Sequence, residues 1–140
     1  FTTDNKLLVQ KALSGNIIDD FLNTIQLKFT DIVNNGRSVV IEFTVDQGAL
    51  INLNHEIDGL PLSDFIEIWM SENAFKNYYR SSGATANRMI FEDVRIPVRD
   101  DNNLNYTPSK FALKLFIALR KEGLKVQKDV KRQNIYITFQ

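Results

Sequence analysis

Between Thr107 and Gln140 the spacing of apolar residues switches from three and four to two, and this switch limits the fold more than any other feature. Thr107-Pro108 reads as an N-cap followed by proline at the first helical position, where the missing N–H costs nothing. The helix runs through "SKFALKLFIALRKE" and stops at Gly123, a residue suited to the left-handed position after a helix. Phe111, Leu113, Leu115, Phe116, Ile117 and Leu119 cover most of its circumference. The remaining stripe carries Lys110, Lys114 and Lys121, within about 40° of one another at a helical pitch. Beyond it Leu124 and Val126 alternate with Lys125 and Gln127. The return strand puts Ile135, Ile137 and Phe139 on one face and Tyr136 and Thr138 on the other. The connecting "KDVKRQ" is a polar turn of unusual basic density.

Upstream, the period changes several times more. Asn5 to Leu13 reads as a short helix stopped by Ser14-Gly15, and Asn16 as the N-cap of a second, with Asp19 and Asp20 in its first turn. Ile18, Phe21, Leu22, Ile25, Phe29, Ile32 and Val33 form one stripe, expected to face a core. In "SVVIEFTV" the apolar Val39, Ile41, Phe43 and Val45 alternate as in a half-buried strand. Asp46-Gln47-Gly48 is read as a tight connection to a second strand, "ALINLNHEI", giving a central antiparallel hairpin. "SDFIEIWM" and "ENAFKNYY" read as one bent helix or two short ones, capped by Ser63 or Asp64. "RSSGATANR" is a loop by composition, "MIFEDVRIPV" an extended segment whose end Pro97 assigns to an edge, and "RDDNNLN" an exposed connection.

Net charge is zero, from 17 basic and 17 acidic residues, but the charge is divided along the chain. Residues 107–140 hold eight Lys or Arg against Glu122 and Asp129, and residues 1–106 carry the compensating acidic excess. Such asymmetry points to a polyanionic partner for the basic part, nucleic acid being the commonest. The order of elements, a lysine-striped helix and then a hairpin with a basic tip, is that of a winged helix. There the helix meets the major groove and the hairpin meets phosphates. Ser109, Lys110 and Lys114 would lie near DNA at the helix start. Lys121 and Lys125 extend the charge, Lys128, Lys131 and Arg132 would neutralise phosphates, and Gln133 and Tyr136 would add polar and stacking contacts.

The segment "YTPSKFALKLFIALRKEGLKVQKDVKRQNIYITF" resembles the winged-helix module at the C-termini of phage- and plasmid-type primase-helicases and related mobile-element replication proteins. Ser109, Leu113, Leu119 and Gly123 fall on that family's serine-capped helix pattern, and the basic hairpin follows. The resemblance covers residues 107–140 alone. It implies a DNA-docking or origin-recognising module, with Lys110, Lys114, Lys131 and Arg132 as contacts.

Other chemistry is thinly represented. His55 is the single histidine, and Glu56 should point to the opposite face, so it is read as a hydrogen-bonded histidine at a strand end. Glu92, Asp93, Asp100 and Asp101 lack the spacing of a calcium loop, and Arg80 with Ser81-Ser82-Gly83 lacks that of a phosphate-binding loop. Trp69, Tyr78, Tyr79 and Tyr106 sit among core residues, which leaves Tyr136 as the stacking candidate. Zero cysteines exclude disulfides and thiolate metal sites, and no apolar run approaches the roughly 20 residues of a membrane span.

The expectation is therefore an α+β protein: N-terminal helices, a central antiparallel hairpin, further helices, and a C-terminal winged-helix-like helix plus β-hairpin. Residues 1–140 are read as a single domain with 107–140 as a subregion. The start at Phe1, without Met, marks it as a candidate fragment of a larger protein, such as an accessory domain of a replication enzyme. The expected function is non-catalytic DNA binding in replication or its control in a phage or mobile element, with no cofactor, no metal and no membrane. The partner is DNA, double-stranded before single-stranded, in the (host) cytoplasm. The alternative is a protein-interaction or self-association module that joins the acidic N-terminal and basic C-terminal parts.

Overall fold

The alternation over 39–45 marks the middle of the fold. Val39, Ile41 and Phe43 are fully buried, and β1 (Arg37–Val45), which carries them, is the central strand of a five-stranded sheet. The computed structural model describes the backbone of residues 2–140 and the side chains of residues 17–140. The chain divides into two compact units, residues 1–34 and 35–140, where one domain was expected.

The first unit is a single helix, α1 (Thr2–Asn35), in place of the expected pair. Gly15 costs about 1 kcal/mol relative to alanine inside a helix, and the helix runs on through Ser14-Gly15-Asn16 without a break. Ile18, Phe21, Leu22, Ile25, Phe29, Ile32 and Val33, expected to face a core, are all exposed.

The second unit is α+β. After β1 come β2 (Glu56–Ile57), β3 (Leu60–Pro61), α2 (Leu62–Asn73), a single 3₁₀ turn (Phe75–Asn77), β4 (Tyr79–Ala84), β5 (Arg88–Ile96), α3 (Pro108–Lys121), β6 (Val126–Lys131) and β7 (Asn134–Phe139). The sheet order is β4-β5-β1-β7-β6, antiparallel throughout except for the parallel pair β1–β7. Residues 49–55 form turns, not the second strand of a hairpin with β1. The short antiparallel hairpin is β2–β3 instead, and β1 finds its antiparallel partner in β5. Pro61 is the N-cap of α2, without a side-chain cap from Ser63 or Asp64. "RSSGA", read as loop, belongs to edge strand β4, and β5 lies inside the sheet, with Pro97 just past its end.

One face of the sheet makes the core. Phe91, Phe139, Ile135 and Ile137 join the β1 residues there, under Leu62, Ile66 and Met70 of α2 and Phe111, Ala112, Leu115 and Leu119 of α3. Phe43 touches Phe91 edge-on at 5.9 Å and stacks on Phe139 at 6.2 Å, while Trp69 of α2 meets Phe111 of α3 at 5.4 Å. The other face is polar. There Arg88 pairs with Glu42 at 2.9 Å, and Asp93 accepts from Arg95 Nε at 3.0 Å and from Ser38 Oγ at 2.6 Å. Arg95 Nη1 also donates to the Gly36 carbonyl, which ties the start of β1 to β5. Gly36 sits at φ +82°, where a Cβ would overlap the Ile96 carbonyl oxygen, so only glycine fits.

Candidate anion-binding surface

The local structure of α3 follows its capping residues. Thr107 Oγ1 accepts from the Lys110 backbone N–H at 3.3 Å, Pro108 opens the helix, and Gly123 at φ 80° closes it. The Gly123 N–H bonds the Arg120 carbonyl and the Leu124 N–H the Leu119 carbonyl, the paired bonds of a Schellman ending. This ending turns the chain directly into β6. The β6–β7 hairpin is then held from its far side, because β7 pairs along Val40–Val45 and the Gln133 carbonyl accepts from the Val40 N–H.

Alternation along β6 sorts the basic residues onto two sides. Val126, Lys128 and Val130 point toward α3, whereas Gln127, Asp129 and Lys131 point to the polar face. Lys128 Nζ accordingly lies 5.9 Å from the Phe116 ring centroid, and the Arg120 guanidinium lies 5.6 Å from the same ring. Both are cation–π distances. Arg120 and Lys125 further line an open cleft of about 420 Å³ with Gly123, Leu124, Val126 and Gln140. Lys114 and Lys121 continue the charge along the exposed face of α3. Among the described residues none of these five cations has a carboxylate within ion-pair distance.

The remaining sequence candidates lie elsewhere. Lys110 Nζ is engaged by Asp100 at 3.4 Å and by the Asn105 carbonyl at 2.8 Å, beside exposed Ser109 at the other end of α3. Asp100 also accepts from the Asn102 and Leu104 N–H groups at 2.9 Å. The Leu104 bond first, with Lys110 and Asn102 adding, holds its carboxyl below the usual carboxylate range. That loop, read as an exposed connection, is tied to the start of α3 through Lys110. Lys131 faces Asp129 at 3.9 Å on the polar side, where Tyr136 is cross-strand from Asp129. Arg132 and Gln133 form the hairpin tip, Arg132 at φ 57°. The ten candidates are therefore not one patch. Lys114 and Lys121 lie on one flank of α3, turned away from Phe116, while Lys125 and Lys128 are joined on the other by Arg120, which adds to the basic count of the sequence but is not among its candidates. Its position three residues before Gly123, beside Phe116 on the helix surface, was the available signal.

Leu113 and Ile117, assigned to the apolar circumference, stand 47% and 46% exposed between these lysines. His55 is exposed in a turn and borders a shallow polar cleft with Asn52, Asn54 and Asn87. Among the described residues no three His, Cys, Asp or Glu side chains gather as metal ligands, and no helix is long and apolar enough to cross a membrane.

The second unit is thus an α+β domain in which two helices cover one face of a mixed five-stranded sheet, with unpaired cations bordering the C-terminal end of the second helix. The chain belongs to the family described as Domain of unknown function (DUF6175), whose match spans residues 37–140. That span begins with β1 and ends with the sheet, so the family corresponds to the second unit, and α1 precedes it. No curated protein and no solved structure matches the chain.

Proposed function

We propose that the chain is a non-catalytic nucleic-acid-binding module that meets a phosphate backbone through Lys114, Arg120, Lys121, Lys125 and Lys128. The observation that carries this reading is that these five exposed cations have no carboxylate partner among the described residues, with Arg120 and Lys128 both over the Phe116 ring and Arg120 and Lys125 lining one cleft. Backbone charge supplies most of the affinity in such contacts, each neutralised phosphate releasing counterions. The resemblance of residues 107–140 to the winged-helix module of replication proteins favours double-stranded DNA, a phage or mobile-element setting and the cytoplasm. Half-exposed Phe116 offers a stacking surface if single strands are bound.

The test is an anisotropy titration of labelled double- and single-stranded DNA at two salt concentrations. Reversing Lys121 and Lys128 together should weaken binding at least about tenfold and lower the salt slope by about two. Lys131→Glu, on the polar face, should do much less. Absence of DNA retention at low salt defeats the proposal.

A protein-interaction module joining acidic and basic parts is the second reading. Leu113 and Ile117 favour it, because exposed apolar side chains flanked by lysines suit an acidic amphipathic partner better than a bare phosphate chain. Its signature is salt-dependent self-association without DNA binding.

A further inference from the structure

Along α1, Ile18, Leu22, Ile25, Phe29 and Ile32 follow one another at intervals of four, three, four and three. That is the 3.5-residue period of helices that supercoil about one another, with these residues at the two seam positions of each heptad. Phe21 and Val33 flank the seam. All seven are between 36% and 66% exposed. Gly15 and Lys11 occupy the next two seam positions upstream, so the apolar seam is confined to Ile18–Ile32.

Chemistry narrows the occupant. Over residues 17–35 the helix carries Asp19, Asp20 and Asp31 against a single cation, Lys28. A helix lying on a membrane surface needs lysine and arginine on its polar face, and nucleic acid would be repelled by these carboxylates. An apolar protein surface remains, and the seam period selects another helix. An apolar seam of this kind is complementary to a second copy of itself, each knob entering a hole between like residues.

We propose that two copies of this chain pair through α1 along Ile18–Ile32. The proposal is independent of the anion-binding reading and differs in chemistry from acid–base self-association, since apolar contact drives it. Covering seven side chains that are already partly screened removes on the order of 500 Å² per copy, below the roughly 800 Å² per partner of a standard stable interface. The pairing is therefore reversible and visible only as concentration rises into the micromolar range and above.

Sedimentation velocity of the 140-residue chain over a concentration series reads this directly. The unmodified protein should shift from monomer toward dimer. Leu22→Ala with Ile25→Ala removes seam volume while keeping the best helix former, and should weaken pairing at least about tenfold. Lys114→Glu with Lys121→Glu should leave it unchanged. Monomer at every concentration overturns the proposal, as does pairing that survives the alanine variant or is abolished by the lysine variant. Circular dichroism and Trp69 fluorescence confirm that each variant is folded. The outcomes are separable from the DNA titration, because the seam lies outside the residues that bind anions in that reading.

Discussion

In α3, Phe111, Ala112, Leu115 and Leu119 are no more than 1% exposed, whereas the matching stripe of α1 keeps roughly half its surface in solvent. Both stripes recur at three and four residues, and both contain phenylalanine, leucine or isoleucine at nearly every turn. The difference lies outside the helices. Beneath α3 lies the apolar face of a sheet whose inward residues are spaced to receive it, and across from it stands Trp69 of α2. Period reports that a helix has an apolar side; whether that side is covered depends on a partner the helix does not itself encode.

The largest test of this contrast replaces one phenylalanine in each helix. Phe111→Ala should destabilise the second unit by about 4 kcal/mol, from lost burial plus the cavity left beside Trp69. Phe29→Ala should change the same transition by less than about 0.5 kcal/mol. Chemical denaturation followed by Trp69, the single tryptophan, reads both. Comparable losses would mean that the α1 stripe contributes to the second unit's stability, and the contrast would fail. A smaller effect is expected where α1 gives way to the sheet. Gly36→Ala should cost about 2 kcal/mol, because a β-carbon at positive φ meets the Ile96 carbonyl oxygen. Smaller still is Thr107→Ala, which removes one capping acceptor from α3 and should cost about 1 kcal/mol in that assay.

Much of the second unit could be read ahead of its coordinates. The inward residues of β1, the cap and end of α3, and the face of β7 each announce themselves by local chemistry that agrees with their tertiary surroundings. Strand β4 did not. As an edge strand it has one neighbour, so Arg80, Ser82, Gly83 and Ala84 remain exposed and polar composition carries no strand signal. The β5 alternation breaks as well: its pairing with β1 advances three residues between Val94 and Phe91 against two between Val39 and Ile41. A bulge of this kind resets which residues face inward, and periodicity alone does not announce it. For the surface, basic density was legible but its division was not. Lys128 and Lys131 are three apart on a strand, hence on opposite faces, and only the sheet's two unlike environments turn that parity into separate roles.

The parallel pairing of β7 with β1 also governs the order in which this unit is completed. Asn134 registers with Val40, and the last strand fills the slot between β1 and the other edge. A nascent chain emerging from the ribosome therefore exposes one side of β1 until the final strand has been synthesised, and closure spans nearly the whole unit. Premature termination within α3 would leave a three-stranded β4-β5-β1 sheet with β1, its central strand, as a bare edge, a state that chaperones and proteases are equipped to find.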